Sequence, residues 1–263
     1  MNLFTNSIKM TAFVSFMLFI CACIHLSGAA DAAPQDDVVK QQTQNKWLRM
    51  GGTWTVQNGR VFESRIRPLY WDLHELINYN SLLVDNLESD FTEINTKFGL
   101  TNVQILPVEI MFTFSIRGNI MQDFFAIKFN GDAKGIQSVT VIRSTQKDAS
   151  LPATTKKNYT IETLYEQACS LKYDSEYGIK IVKNNNYFKG AVINLYIDNK
   201  LIFSKDFPIA ELKEKGKFAV ASRGASISID YVTIKNGGKT VFTDDFSENS
   251  IYVPTVSATK VEK

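Results

Sequence analysis

Hydrophobic and polar residues alternate along much of this chain, most regularly between Tyr177 and Phe246. At the centre of that stretch Ala191, Ile193, Leu195 and Ile197 fall on one face, and Val192, Asn194, Tyr196 and Asp198 on the other. A period of two is what a half-buried antiparallel strand requires. Asp198-Asn199 then supplies a tight turn of residues that tolerate positive φ, and Leu201-Ile202-Phe203 returns as the partner strand. The same alternation predicts strands over Val108 to Arg117, Phe124 to Asn130, Ile136 to Arg143, Tyr177 to Lys183, Phe218 to Ser222, Ser226 to Lys235 and Thr240 to Phe246. Gly51 to Ser64 reads as two short strands joined at Asn58-Gly59, a strong hairpin signal. Turn chemistry separates these elements at Gly131 to Gly135, Asn184 to Gly190, Arg223 to Ala225 and Asn236 to Gly238.

Four segments depart from this pattern. Thr145 to Thr160 is polar, contains Leu151-Pro152, and reads as a long loop. Ile161 to Cys169 places apolar residues at 161, 164, 165 and 168, a helical spacing. Leu69 to Asp90 is ambiguous: Leu69, Leu73, Leu76 and Ile77 have helical spacing, while Ser81 to Asp85 fits a strand. Pro208 to Lys213 reads as one short helical turn. The expectation is an all-β antiparallel sandwich of two sheets and about a dozen strands, with one or two short helices.

The ends divide the chain further. Lys9 precedes an apolar run from Met10 to Ile24 that suits the core of an export signal and is short for a bilayer span. Ser27-Gly28-Ala29 or Ala30-Asp31-Ala32 fits signal-peptidase cleavage, and Cys23 is the residue a lipoprotein-processing reading would lipidate. The expected organisation is a signal peptide over 1–30, a Gln-rich polar tether over 31–46, a sandwich over 47–250 and a tail over 251–263. The product is expected outside the cytoplasm, secreted or at the cell surface, with no transmembrane segment after cleavage and with a lipid anchor if Cys23 is used.

Cleavage near residue 30 would leave one cysteine, Cys169, and one histidine, His74. No internal disulfide and no zinc site of clustered His and Cys can be built from that set. Cys169 reads as a small buried hydrophobe. Losing Lys9 leaves 28 basic against 27 acidic residues with no basic block, which excludes a nucleic-acid footprint.

Particular residues carry a family resemblance. Gly52-Thr53-Trp54-Thr55-Val56-Gln57-Asn58-Gly59-Arg60-Val61, the hairpin Ile193 to Ile202, and Gly216 to Ser222 followed by Ile227 to Ile234 resemble concanavalin A-like (laminin-G-like) jelly-roll domains. Asn199 stands where that hairpin usually has Gly. The resemblance spans about Trp47 to Phe246 and implies a jelly-roll fold. The superfamily includes sugar-binding modules, laminarinase-type hydrolases, keto-sugar hydrolase-like domains and polysaccharide lyases, so it fixes no activity.

The enzymatic members give patterns to search for. The Glu-x-Asp-x-x-Glu strand of laminarinase-type enzymes is absent, and Glu109 stands alone on its strand as an ion-paired or solvent-facing residue. Arg60, Glu63 and Arg65, then Gln104-Ile105-Leu106, then Tyr187-Phe188-Lys189-Gly190 resemble alginate-lyase segments, but Leu106 replaces the histidine and transfers no proton. His74, between Leu73 and Glu75, has no second histidine for a metal site. No calcium motif stands out, and no cofactor is expected. Asn158-Tyr159-Thr160 is a glycosylation sequon, relevant in a eukaryotic source.

Binding therefore leads. Sugar recognition uses aromatics that stack on rings and polar groups that meet hydroxyls. Tyr70 and Trp71, and Asn185, Tyr187 and Phe188 in the loop before the central strand, are the ligand-binding candidates, while Trp54 reads as core. The expected partner is a glycan or cell-surface polymer. The alternatives are a polysaccharide-active or keto-sugar hydrolase of the same fold, and a structural or adhesive surface protein.

Overall fold

Alternation of side chains drives this chain into two sheets, each turning one face inward. The computed structural model describes residues 46–50, 52–63, 80–84, 87–103, 105–117, 123–148, 159–186 and 189–252. Residues 1–45, 51, 64–79, 85–86, 104, 118–122, 149–158, 187–188 and 253–263 lie outside that set, and with them Cys23, Tyr70, Trp71, His74, Tyr187 and Phe188.

Sheet I contains β1 (Trp47–Arg49), β4 (Asn80–Val84), β6 (Val108–Arg117), β7 (Asp123–Asp132), β8 (Gly135–Gln146), β9 (Tyr159–Leu171), β13 (Lys217–Arg223) and β16 (Ile251–Tyr252). Their order across the sheet is β16-β1-β4-β13-β6-β7-β8-β9. Sheet II contains β2 (Trp54–Gln57), β3 (Arg60–Glu63), β5 (Glu93–Val103), β10 (Glu176–Asn185), β11 (Ala191–Ile197), β12 (Lys200–Phe207), β14 (Ala225–Asn236) and β15 (Lys239–Asp244). Its order is β12-β11-β10-β5-β14-β3-β2, and β15 lies beside the second half of β14. All pairings are antiparallel except β1 with β16, which run parallel. A single 3-10 turn at Ala210–Lys213 is the helical element among the described residues. The all-β, two-sheet expectation holds.

The core lies between the sheets. β11 buries Ala191, Ile193, Leu195 and Ile197, the face its sequence marks as apolar. Asp198 and Asn199 take φ of 49° and 64°, as the tight turn demands. Phe98 of β5 meets Phe112 of β6 and Phe129 of β7 at centroid separations of 5.8 and 5.7 Å, tying the sheets together. Trp54 is buried, as expected. Trp47 packs edge-on against Phe242 at 5.4 Å and donates its indole N–H to Asp244 at 2.8 Å. Asp244 also accepts from the Ser250 hydroxyl at 2.6 Å, so one buried carboxylate fastens β1 to the end of the sandwich.

Two expectations are corrected. Ile161 to Cys169 is not helical; it lies within edge strand β9, paired to β8. Val141 pairs with Tyr165 and Ile142 with Thr163, so Leu164 is an extra residue, a bulge. That bulge puts Leu164 and Tyr165 both against the core and breaks the period of two into something that mimics a helix. Among the described residues the strands also number sixteen, against about a dozen expected. The clearest addition is β5, which lies mid-sheet between β10 and β14. Its inward positions are Ile94, Phe98 and Leu100, but Thr96 interrupts them, buried and donating its hydroxyl to the Tyr231 carbonyl at 2.7 Å.

Candidate functional site

Sheet I has an outer face as well as a core face. On β6, Phe112 and Phe114 point into the sandwich, so Met111 and Thr113 point away from it. Met111, Leu83, Ile116, Phe124, Ala126, Ile142, Ala219 and Ala221 form a second apolar cluster on this outer face, with Leu48 against it. One end of the same face is polar. There Glu109 on β6 lies directly opposite Arg223 on β13 and Asn130 on β7.

Glu109 is 8% exposed, and each of its oxygens meets a cation. Lys128 Nζ reaches Oε1 at 3.0 Å from the diagonal position on β7, and the Arg223 guanidinium pairs with Oε2. Beside them the Asn130 amide donates to the Ser138 hydroxyl at 3.2 Å and the Thr140 hydroxyl at 3.3 Å. Lys128, Asn130, Ser138 and Arg223 are half-buried, so the cluster's rim reaches solvent while its carboxylate does not. Glu109 thus proves to be ion-paired rather than solvent-facing. Among the described residues the next acid on this face is Glu166 of β9, opposite Thr140 of β8. β6 and β9 are three strand spacings apart, about 14 Å at the usual 4.8 Å per step. A retaining or inverting pair of carboxylates stands about 5–10 Å apart.

The outer face of sheet II carries charge differently. Arg60 on β3 and Lys97 on β5 enclose Glu176 and Asp230: Lys97 Nζ lies 2.5 Å from Glu176 and 3.1 Å from Asp230, and Arg60 Nε lies 2.8 Å from Asp230. Arg60 also pairs with Glu176, two strands away from β3's neighbour, because Gly99 between them leaves room. A Cβ on Gly99 would stand 2.8 Å from Ser228 Oγ and 3.3 Å from Glu176 Cγ. Hydrogen bonds from Arg60 and Lys97 pull the Glu176 carboxyl down to about 2. Glu93 forms a second node with Lys235 at 2.7 Å, Asn95 at 2.7 Å and Lys180 at 3.3 Å. Burial opposes its ionisation, but those three donors prevail and hold it at about 2 as well.

Of the five binding candidates, Asn185 is the one the structure describes. It closes β10 and gives its amide to Asp90 at 2.8 Å, which braces the end of the sandwich. Cys169 lines a cleft of about 660 Å³ together with Tyr177 and Ile197, between the edges of the two sheets. Burial pushes its thiol up to about 11, so it stays protonated and is a poor nucleophile. No group of three or more His, Cys, Asp or Glu suited to a metal is found among the described residues. Lys128, Asn130 and Arg223 escaped sequence reasoning; pairing β6 with the β7 that follows it would have set Glu109 opposite Asn130.

No family model and no curated protein sequence matches the chain. Among solved structures, the carbohydrate-binding module CBM66 from Bacillus subtilis superposes with a TM-score of 0.53, over 73% of this chain and 97% of that one, at 10% identity. The carbohydrate recognition domain of Emp46p in its potassium-bound form gives 0.50, over 81% and 94%, at 13% identity. At such identities the likeness is one of fold. The architecture is the concanavalin A-like jelly roll.

Proposed function

We propose that this chain is an exported carbohydrate-binding sandwich without hydrolytic machinery, which takes a glycan at the polar end of sheet I's outer face. The observation that carries the reading is the Glu109–Lys128–Arg223 cluster, a shielded carboxylate held by two half-buried cations. Sugar hydroxyls both donate and accept, and such a rim offers both: ammonium donors on Lys128, acceptors on the Asn130 amide oxygen and the Ser138 hydroxyl. The shared fold with a carbohydrate-binding module and a carbohydrate recognition domain supports the class of ligand. The separation of Glu109 from Glu166, and the two cations already on Glu109, weigh against the hydrolase alternative.

A glycan array on the mature chain, run beside a reducing-sugar assay on the glycans that bind, tests this. Binding without turnover, lost in Arg223→Ala and in Asn130→Ala, supports the reading. Turnover, or binding indifferent to both variants, rejects it.

A further inference from the structure

Lys183 takes no part in the cluster described above, yet its side chain has no exposed surface. β10 sends it inward in step with Ile179 and Ile181, at a position where the alternation calls for an apolar residue. Its ammonium donates to the Leu212 carbonyl at 2.6 Å, pairs with Asp90, and stands 4.7 Å from the centroid of the Phe91 ring. Asp90's second oxygen accepts from Asn185.

These partners come from the two crossings between the sheets at this end. Asp90 lies on the passage from β4 in sheet I to β5 in sheet II. Leu212 lies in the 3-10 turn on the passage from β12 in sheet II back to β13 in sheet I. The crossings are joined to each other by reciprocal backbone bonds, Ser89 N–H to Gly216 O at 3.0 Å and Gly216 N–H to Ser89 O at 3.3 Å. One ammonium therefore grips both.

We propose that the Asp90–Lys183 pair is an electrostatic latch: residues 87–92 and 208–216 open as one unit, with both sheets intact, when the charge balance of the pair is broken. The other charged groups of these elements are committed or distant from it. Glu211 is held by Arg143 at 2.6 Å, Glu214 by Arg117 at 3.0 Å, and Glu93 by Lys235 on the opposite face of β5. Glu88 and Lys215 are exposed and Lys213 half-exposed. Asp90 is the counter-charge, and a buried cation without one is strongly unfavourable. Burial lowers the pKa of Lys183, with Asp90 opposing the shift. The unfolded chain then binds the proton more tightly than the folded one, so latch stability rises with pH below the ordinary lysine range. Asp90→Asn should steepen that rise.

Hydrogen exchange on the full chain tests the latch through the amides of Ser89, Leu212, Glu214 and Gly216, all bonded within these crossings. In Asp90→Asn their protection should fall about a hundredfold, and recover as pH rises after correction for intrinsic rates, while amides of β6 to β8 hold theirs. Lys183→Met, which removes the buried charge and keeps the length of the side chain, should stay within about tenfold of the wild type. If Asp90→Asn prevents folding, adding Lys183→Met must restore it. Unchanged exchange in Asp90→Asn, equal acceleration throughout both sheets, opening by Lys183→Met as great as by Asp90→Asn, or failure of that rescue would each overturn the proposal.

Discussion

The two outer faces of this sandwich both hold carboxylates between basic side chains, but in different media. Glu109 on sheet I is nearly sealed and continuous with an apolar cluster. Glu176 on sheet II has a side chain 36% exposed and a neighbour on almost every side. Water screens the second arrangement and hardly reaches the first. The same chemical grip is therefore a firmly coupled unit on one face and a loose lattice on the other. A ligand group that displaces water gains most beside the sealed carboxylate, which is why the functional reading rests on sheet I.

The contrast can be broken most forcefully by placing a new charge on each face. Ala126→Asp, in the apolar half of sheet I's outer face, should cost more than about 4 kcal/mol and abolish folding at moderate temperature. Thr233→Asp on the exposed face should stay within about 0.5 kcal/mol, as read from urea midpoints. Comparable losses at the two sites would show that the faces are not different media.

Removing an existing charge gives a smaller separation. Glu109→Ala leaves Lys128 and Arg223 facing each other and should destabilise by about 3–5 kcal/mol. Glu176→Gln, discounted for solvent screening, should cost at most about 1 kcal/mol. Gly99→Ala lies between, at about 1–2 kcal/mol, because its methyl crowds Ser228 and the path of Glu176 across β5. If Gly99→Ala is tolerated fully, Glu176 does not need that path.

The finest test is acidification. Glu176 and Glu93 both have folded pKa values of about 2, below the ordinary glutamate value of about 4.3. Their contribution is present above the unfolded value and fades as pH falls from about 5 toward 2. Urea midpoints over that range should decline, and the Glu176 share should shrink in about 0.5 M salt. A decline unaffected by both Glu176→Gln and salt would remove sheet II's lattice from the account.

Local alternation made much of the architecture legible. β11 and its Asp198-Asn199 turn could be read to the residue, because one strand face is wholly apolar and the turn needs positive φ. β5 could have been read too, had Thr96 not broken its apolar face with a hydroxyl satisfied by a distant carbonyl. β9 misled because a bulge, set by its pairing with β8, is not a property of its own sequence. The candidate site was legible by one residue, Glu109. Its partners come from β7 and β13, and Arg223 in particular becomes adjacent only after sheet I has formed. Sequence aromatics drew attention to Tyr70, Trp71, Tyr187 and Phe188, which lie outside the described residues, and to Asn185, whose amide turned out to be spent on Asp90.

The parallel pairing of β1 with β16 has a mechanical meaning. Trp47 and Leu48 are in register with Ile251 and Tyr252, and the Lys46 and Trp47 amides both reach the Ser250 carbonyl at 2.9 and 3.0 Å. A pull applied ahead of residue 46 and beyond residue 252 drags these two strands in opposite directions along their own length. Their hydrogen bonds lie across that motion and must fail together, not one after another as in a peeled hairpin. Asp244, gripping the Trp47 indole and the Ser250 hydroxyl from behind, is the rivet of that joint.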